Sequence, residues 1–336
     1  MMIMVSKIIF PQEQQAIQEI DYHSQKVHHL ALKNERHPMV FSALYEWMNQ
    51  PVDLLQEVYG EPLRKDLSAF GYTWWVYTDG MTNYIQFGIE DDMVRTIFAT
   101  GSKVGLGDIV IGQHYQDIAQ ILDFSQQITY QNDQSSFTFK LTDEDLQAMP
   151  LVKITDQVFL QCYFDTITQK LSSIRLLTGD ILLLHLPYEV SYRGQLPQAP
   201  TLNEEEWQHV QRGMAEQIYL LTNVKRYEND LPPLKWDEQI SEVAFLHSYD
   251  MEKNQYFSHD SLNGNGLKER LDAYHIIYHS AGENIAAQHP DGPAAIEGWL
   301  NSQTHREALL SPYYTHLGVG VYRHYFTQNF IAKCEQ

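Results

Sequence analysis

The sequence predicts an α+β protein in two parts: a duplicated β-rich region, then a unit whose helices precede an antiparallel sheet. Three observations predict it. Aromatic and β-branched runs separated by Gly and Asp fill residues 72–178, and their pattern recurs. The stretch 187–202 carries Pro187, Gly194, Pro197 and Pro200 among polar residues and breaks the periodicity. Beyond it the hydrophobic period is helical first, and the clearest strands, 317–323 and 326–332, come last.

The elements follow in chain order. Residues 11–48 show a loose helical spacing of Ile17, Ile20, Val27, Leu30 and Leu32 with a wet opposite face, so 1–48 is expected as a helical segment. Val52, Leu54, Leu55 and Val58 predict a short helix ended by Gly60-Glu61-Pro62. Strands are expected at 72–77, 84–89 and 94–98, with Asp79-Gly80 and Asp91-Asp92 as turns. A second copy follows: helix at 117–122, strand at 136–141, then Phe159-Leu-Gln161 echoing Tyr84-Ile-Gln86, and Thr178-Gly179 echoing Thr100-Gly101. The copies are expected at 53–101 and 117–179 within a region 49–186. Trp74 and Trp75 alternate across their strand, and they, Tyr72 and Tyr77 are expected in a core or interface rather than stacked on a sugar. After the connector 187–202, the last unit, 203–336, opens with a helix capped by Thr201 or Asn203. Glu204, Glu205 and Glu206 fill its first turn, where the helix dipole favours anions.

Composition narrows the function. Hydrophobic residues make up 43 % of the 336, enough for packed cores, and the length predicts two or three domains. A net charge of −20 repels nucleic acid phosphates and anionic lipid, and no run is long enough to span a membrane, so neither is expected as a partner. Cys162 and Cys334 lie far apart and predict no disulfide framework. The N-terminus is a poor signal peptide: Lys7 interrupts its apolar run and no small-residue cleavage site follows.

From Leu221 onward the residues carry a family likeness. Leu231-Pro-Pro-Leu-Lys-Trp-Asp237, Ala244-Phe-Leu-His247-Ser248, Tyr256-Phe-Ser-His259-Asp260, Gly282-Glu283-Asn284, Trp299-Leu-Asn-Ser302-Gln-Thr-His305-Arg306 and Gly318-Val-Gly320 follow one another in order. Together they resemble the bacterial type of the CAP superfamily, the cysteine-rich secretory, antigen 5 and pathogenesis-related proteins. Gly71-Tyr-Thr-Trp-Trp-Val-Tyr77 and Tyr84-Ile-Gln86 resemble, over a shorter stretch, the CAP-associated domain that precedes such modules in Firmicutes. The resemblance implies an α-β-α sandwich with helices on both faces of the sheet, and an extracellular or cell-surface setting. Without a clear signal peptide, a cytoplasmic one stays open.

The resemblance also implies a cleft lined by two His and two acidic residues. His259 matches the first His, Glu283 the first acid and His305 the second His. Animal and plant members carry the other carboxylate just after the Trp, where this chain has Asn301 and Ser302; Glu297 is two residues before Trp299, toward the opposite side of a helix. Two imidazoles and a carboxylate can hold a divalent metal such as zinc, or act as general acid and base. Each residue also has a structural alternative: a turn cap for His259, a buried acid bonded to amides for Glu283, a helix cap for His305. His247 is expected as a structural histidine, Ser302 as an N-cap, and His275, His279, His289, His316 and His324 at the surface. His23, His28 and His29 lie in the N-terminal helical segment.

Three functions follow in order of preference. The first is a binding module, without demonstrated catalysis, whose cleft holds a small ligand, peptide or metal, or a cell-surface partner. The second is a metal-dependent, peptidase-like hydrolase at the same cleft; the missing fourth acid and the absence of a Gly-x-Ser-x-Gly elbow weigh against it. The third is a structural interaction protein.

Overall fold

The computed structural model describes residues 44–333 except 103 and 133. The helical reading of 11–48, apart from its last residues, lies outside them, as do His23, His28, His29 and Cys334. Leu44–Trp47 is a 3-10 turn.

The first part begins with α1 (Val52–Tyr59), which ends at Gly60, where φ is 72°. Strands β1 (Arg64–Leu67), β2 (Thr73–Thr78), β3 (Asn83–Glu90) and β4 (Met93–Gly101) follow as an antiparallel meander. Asp91 and Asp92, both at positive φ, make the two-residue turn between β3 and β4. A small β5–β6 hairpin (Gly105–Leu106, Ile109–Val110) and α2 (Tyr115–Ile118) lead to β7 (Gln127–Asn132) and β8 (Ser135–Lys140). Then come α3 (Asp143–Ala148), β9 (Leu151–Lys153), β10 (Val158–Asp165), β11 (Lys170–Thr178), α4 (Gly179–His185) and β12 (Glu189–Arg193). The main sheet has seven strands in the order β1-β2-β3-β4-β11-β10-β9, and β12-β8-β7 form a second one.

The repetition is confined to two hairpins. Gln86 faces Phe98 across β3–β4, Gln161 faces Arg175 across β10–β11, and Phe98 faces Arg175 where the hairpins meet. Both hairpins shift register at the corresponding place, Gly88/Ile89 and Tyr163/Phe164. The Thr-Gly echo is one residue out: Thr100 faces Tyr84, and the matching partner of Phe159 is Leu177, not Thr178. Gly101 ends β4 at positive φ, its Cα facing the Thr82 carbonyl and Asn83 too closely for a side chain, whereas Gly179 starts α4 against the ring of Tyr130. Outside the hairpins the copies diverge, because β1–β2 extend the main sheet while β7–β8 join β12. Trp74, Tyr72 and Tyr77 are buried, and Trp75 is half-buried beneath Lys65 Nζ, 3.9 Å from its ring centre. Cys162 is a buried thiol, pushed up to about 12 by desolvation.

Within the connector stretch, Glu189–Arg193 is strand β12 on β8. The second part then opens with α5 (Glu204–Glu228), whose capping box pairs Asn203 with Glu206. It continues through β13 (Lys235–Trp236), α6 (Glu238–Lys253), α7 (Leu267–Ala273), β14 (Ser280–Ala287), α8 (Gly292–Leu300), α9 (Gln303–Leu309), β15 (His316–Tyr322) and β16 (Tyr325–Ala332). Its sheet runs β13-β15-β16-β14; the long pairs are antiparallel and two residues of β13 pair in parallel with β15. Alternation sorts the faces. Leu317, Val319 and Val321 join the core under α5 and α8, while Gly318 and Gly320 face α6. A Cβ on Gly320 would collide with the α6 backbone at Phe245, so this strand needs glycine there for the helix to lie close. The result is an α-β-α sandwich.

The two sheets are separate, yet the apolar core is continuous from Trp74 and Phe98 through Met214 and Ile218 to Trp299 and Phe330. Buried polar groups lock the join. Arg175 Nη2 meets Asp291 at 2.8 Å, and its Nη1 donates to His185 Nδ1 at 3.2 Å. Lys225 Nζ donates to Thr100 Oγ1 (2.6 Å) and lies 3.7 Å from Glu297. Gln217 on α5 donates to Asp66 on β1 at 3.0 Å.

Candidate functional site

The site forms at an exposed sheet edge. Among the described residues strand β14 pairs only with β16, at the edge of the sheet, and its successive residues face opposite helical layers. Glu283 looks toward α6 and α7; Asn284 looks toward α9. Each neighbour ties down one side of the cluster.

On the first side, Glu283 Oε1 accepts from His259 Nδ1 at 2.9 Å, and Oε2 accepts from Arg270 Nη2 at 2.7 Å. The Glu283 side chain is only 4 % exposed, that of His259 52 %. Arg270, on α7, also donates through Nη1 to the carbonyls of His259 (2.9 Å) and Asn265 (3.2 Å), fastening the loop that carries His259. His247, buried on α6, lies within 3.0 Å of the Ser258 carbonyl through Nε2, which donates to it, and 4.0 Å from Glu283. Burial pulls the His247 imidazole below its ordinary range, partly offset by the Glu283 charge.

On the second side, Asn284 Nδ2 donates to the His305 backbone carbonyl at 3.0 Å. His305 is half-buried, and its ring centre stands 6.4 Å from that of His259 at 44°. Burial and then the neighbouring His259 hold its pKa below the ordinary histidine value. Among the described residues no group hydrogen-bonds the His305 ring, and no serine or cysteine side chain bonds either imidazole.

The structure thus brings His259, Glu283 and His305 together. His259 uses Nδ1 on the carboxylate, which leaves Nε2 facing outward as an acceptor or ligand. Glu283 has both oxygens engaged, one by a guanidinium, and its side chain is almost wholly covered. Among the described residues no group of three or more His, Cys, Asp or Glu side chains is placed to hold a metal ion. No chemical step through a metal is derived from this arrangement.

The residues around Trp299 lie elsewhere. Trp299 is buried and donates to the Ile285 carbonyl at 2.9 Å. Glu297 is buried at the join, bonded to Ser173 at 2.7 Å, and burial raises its pKa. Asn301 contacts the first part of the chain through Thr166, and Ser302 takes the N-cap position of α9 without a side-chain cap bond. His275 and His279 are exposed as expected, but His289, His316 and His324 are half-buried. His324 Nδ1 bonds the His289 carbonyl and its ring packs on Trp207, which accounts for its cover. Arg270 is the functional residue that sequence reasoning missed. It lies in the unremarkable run Leu267-Lys-Glu-Arg270, and only the fold brings it to Glu283.

Comparisons with known proteins agree with the fold. Residues 48–188 match the family described as CAP-associated N-terminal, and residues 219–335 the cysteine-rich secretory protein family. A Bacillus subtilis (strain 168) protein called "Uncharacterized membrane protein YlbC" is 41 % identical over 303 residues, covering 90 % of this chain and 87 % of that one. A second from the same strain, "Uncharacterized protein YkwD", is 36 % identical over 120 residues, covering 35 % of this chain and 47 % of its own. The crystal structure of an extracellular protein containing a SCP domain from Bacillus anthracis superposes with TM-score 0.83 at 37 % identity, over 90 % of this chain and 99 % of that one. A cysteine-rich secretory protein from Staphylococcus aureus gives TM-score 0.77 at 25 % identity, over 88 % and 95 %.

Proposed function

The chain belongs to the cysteine-rich secretory protein family, with a CAP-associated region ahead of the family's domain, and from that premise we propose that it is a binding module. Its cleft, lined by His259, Glu283 and His305, receives a peptide or another small polar ligand and leaves it intact. The observation that carries this reading is the commitment of Glu283 to Arg270 and His259. A carboxylate whose two oxygens are bonded to a guanidinium and an imidazole, in a side chain only 4 % exposed, is placed to orient those two groups rather than to reach a ligand. The groups turned outward are the Nε2 edge of His259 and the ring of His305, an acceptor-rich pair suited to N–H and O–H donors of a ligand. Two imidazoles alone also support a weaker divalent-metal reading, with zinc as the candidate. An extracellular or cell-surface setting is supported by the Bacillus anthracis relative, described as extracellular, and by the Bacillus subtilis relative, named a membrane protein. In this chain no helix among the described residues is long and apolar enough to cross a membrane.

An immobilised array of random twelve-residue peptides tests the proposal. Peptides captured by the parent and lost by both His259→Ala and His305→Ala are the expected result. Equal capture by all three proteins would move the binding surface away from this cleft.

A further inference from the structure

We infer that the turn between β10 and β11, in the CAP-associated region, positions His305, and so makes the cleft a composite of both parts of the chain. The inference rests on the cleft reading above and adds the residues that set its second side.

Helix α9 has seven residues, too few to hold itself in place without partners. His305 is its third residue, and the turn grips the chain on either side of it. Before it, Asn301 is wholly consumed by the turn: its Oδ1 accepts from the Thr166 backbone N–H (2.8 Å) and hydroxyl (3.0 Å), and its Nδ2 donates to the Phe164 carbonyl (2.9 Å). After it, Arg306 Nη1 meets Asp165 Oδ2 at 2.8 Å, with both side chains 13 % exposed. Asp165 is itself oriented, since its Oδ1 accepts from the backbone N–H groups of Ile167 (3.0 Å) and Thr168 (3.1 Å). The same Arg306 Nη1 reaches back to the Leu300 carbonyl at 3.2 Å, so the ion pair also closes the bend between α8 and α9.

With Asn284 holding the His305 carbonyl from the sheet, the helix is fixed on one side by β14 and on the other by the turn. Asn301, two residues after Trp299, serves the contact between the two parts. Asp165 and Thr166 are therefore positioning residues for a ring they do not touch.

The test uses the full chain with 13C-labelled histidine, reading the ring resonances of His305 and His259 at one pH, with amide exchange over 303–309. In Asp165→Asn combined with Thr166→Val, the His305 resonance shifts and exchange of 303–309 accelerates by about tenfold, as expected when a local opening is released; His259 stays put. Asp66→Asn, which loosens a different contact between the two parts, leaves His305 unmoved. Arg306→Asp alone reproduces the shift, and adding Asp165→Arg restores the parent resonance. Should the double variant not fold, Asp165→Asn alone serves, being nearly isosteric. An unchanged His305 in folded turn variants, or an equal shift in Asp66→Asn, overturns the inference. None of these readouts needs a ligand, so a failure of peptide capture bears on the cleft reading and not on this one.

Discussion

Arg270 closes on Glu283: its Nη2 stands 2.7 Å from Oε2, while its Nη1 holds the His259 carbonyl at 2.9 Å. One guanidinium thereby fixes both members of the His259–Glu283 pair. Removing one partner of a buried ion pair leaves the other charge unpaired at a cost of about 3 kcal/mol or more. Arg270→Gln should destabilise the chain by that order, read by urea unfolding, and should broaden the His259 ring resonance. A loss below about 0.5 kcal/mol, the range of ordinary surface changes, would mean that the pair is not a working contact.

The join between the two parts predicts a pH dependence. His185 is buried beside Arg175, and desolvation followed by that positive charge lowers its pKa to about 3. Its Nδ1 accepts from Arg175 and its Nε2 lies 2.9 Å from the Tyr72 hydroxyl, so the neutral ring is the form the fold uses. The unfolded ring titrates near 6.5. The folded state therefore binds fewer protons than the unfolded one between those two values. This stability is complete above about pH 6.5 and drains away as pH falls toward 3, at a slope of up to about 1.4 kcal/mol per pH unit. Urea midpoints measured from pH 7 to 4 should fall, and His185→Asn should flatten the decline. A parent midpoint that rises on acidification would contradict the assignment.

Gly320 is a packing requirement. A Cβ there meets the α6 backbone, which cannot move as a side chain can. Gly320→Ala should cost about 1–3 kcal/mol, visible as a drop in thermal midpoint by circular dichroism. A drop no larger than that of a surface substitution would show that α6 can shift away.

The chain between β12 and α5 is the expected cleavage site for a protease. Residues 194–202 contain Gly194, Pro197 and Pro200 and carry no helix or strand. Because the apolar core and the Arg175–Asp291 pair run across the join, the two fragments should stay together after nicking and part only in denaturant. Size exclusion after limited proteolysis checks this. Fragments that separate in native buffer would mean two independent domains.

The parts legible in the sequence were those with a local signature. Alternation and turn residues placed β2 and β3 to within a residue, and Asn203, one of the two caps the sequence offered, starts α5. The motif order grouped His259, Glu283 and His305, and the fold sets His259 on Glu283 and its ring centre 6.4 Å from that of His305. What stayed hidden was long-range. Nothing near Leu267 says that Arg270 will reach Glu283, and nothing near Trp299 says that Asn301 will be taken up by Thr166. The Thr-Gly echo misled because two residues of the same type serve different ends: Gly101 the end of a strand at positive φ, Gly179 a helix start.

The account stands most directly on whether the cleft cuts what it holds. The full chain, incubated with a mixed peptide library with and without zinc chloride, would be read by mass spectrometry for new peptide termini. The account predicts none in either condition, with bound peptides recovered whole from the parent and not from His259→Ala or His305→Ala. New termini in the parent that vanish in Glu283→Gln would show a carboxylate working as a catalyst and would contradict it.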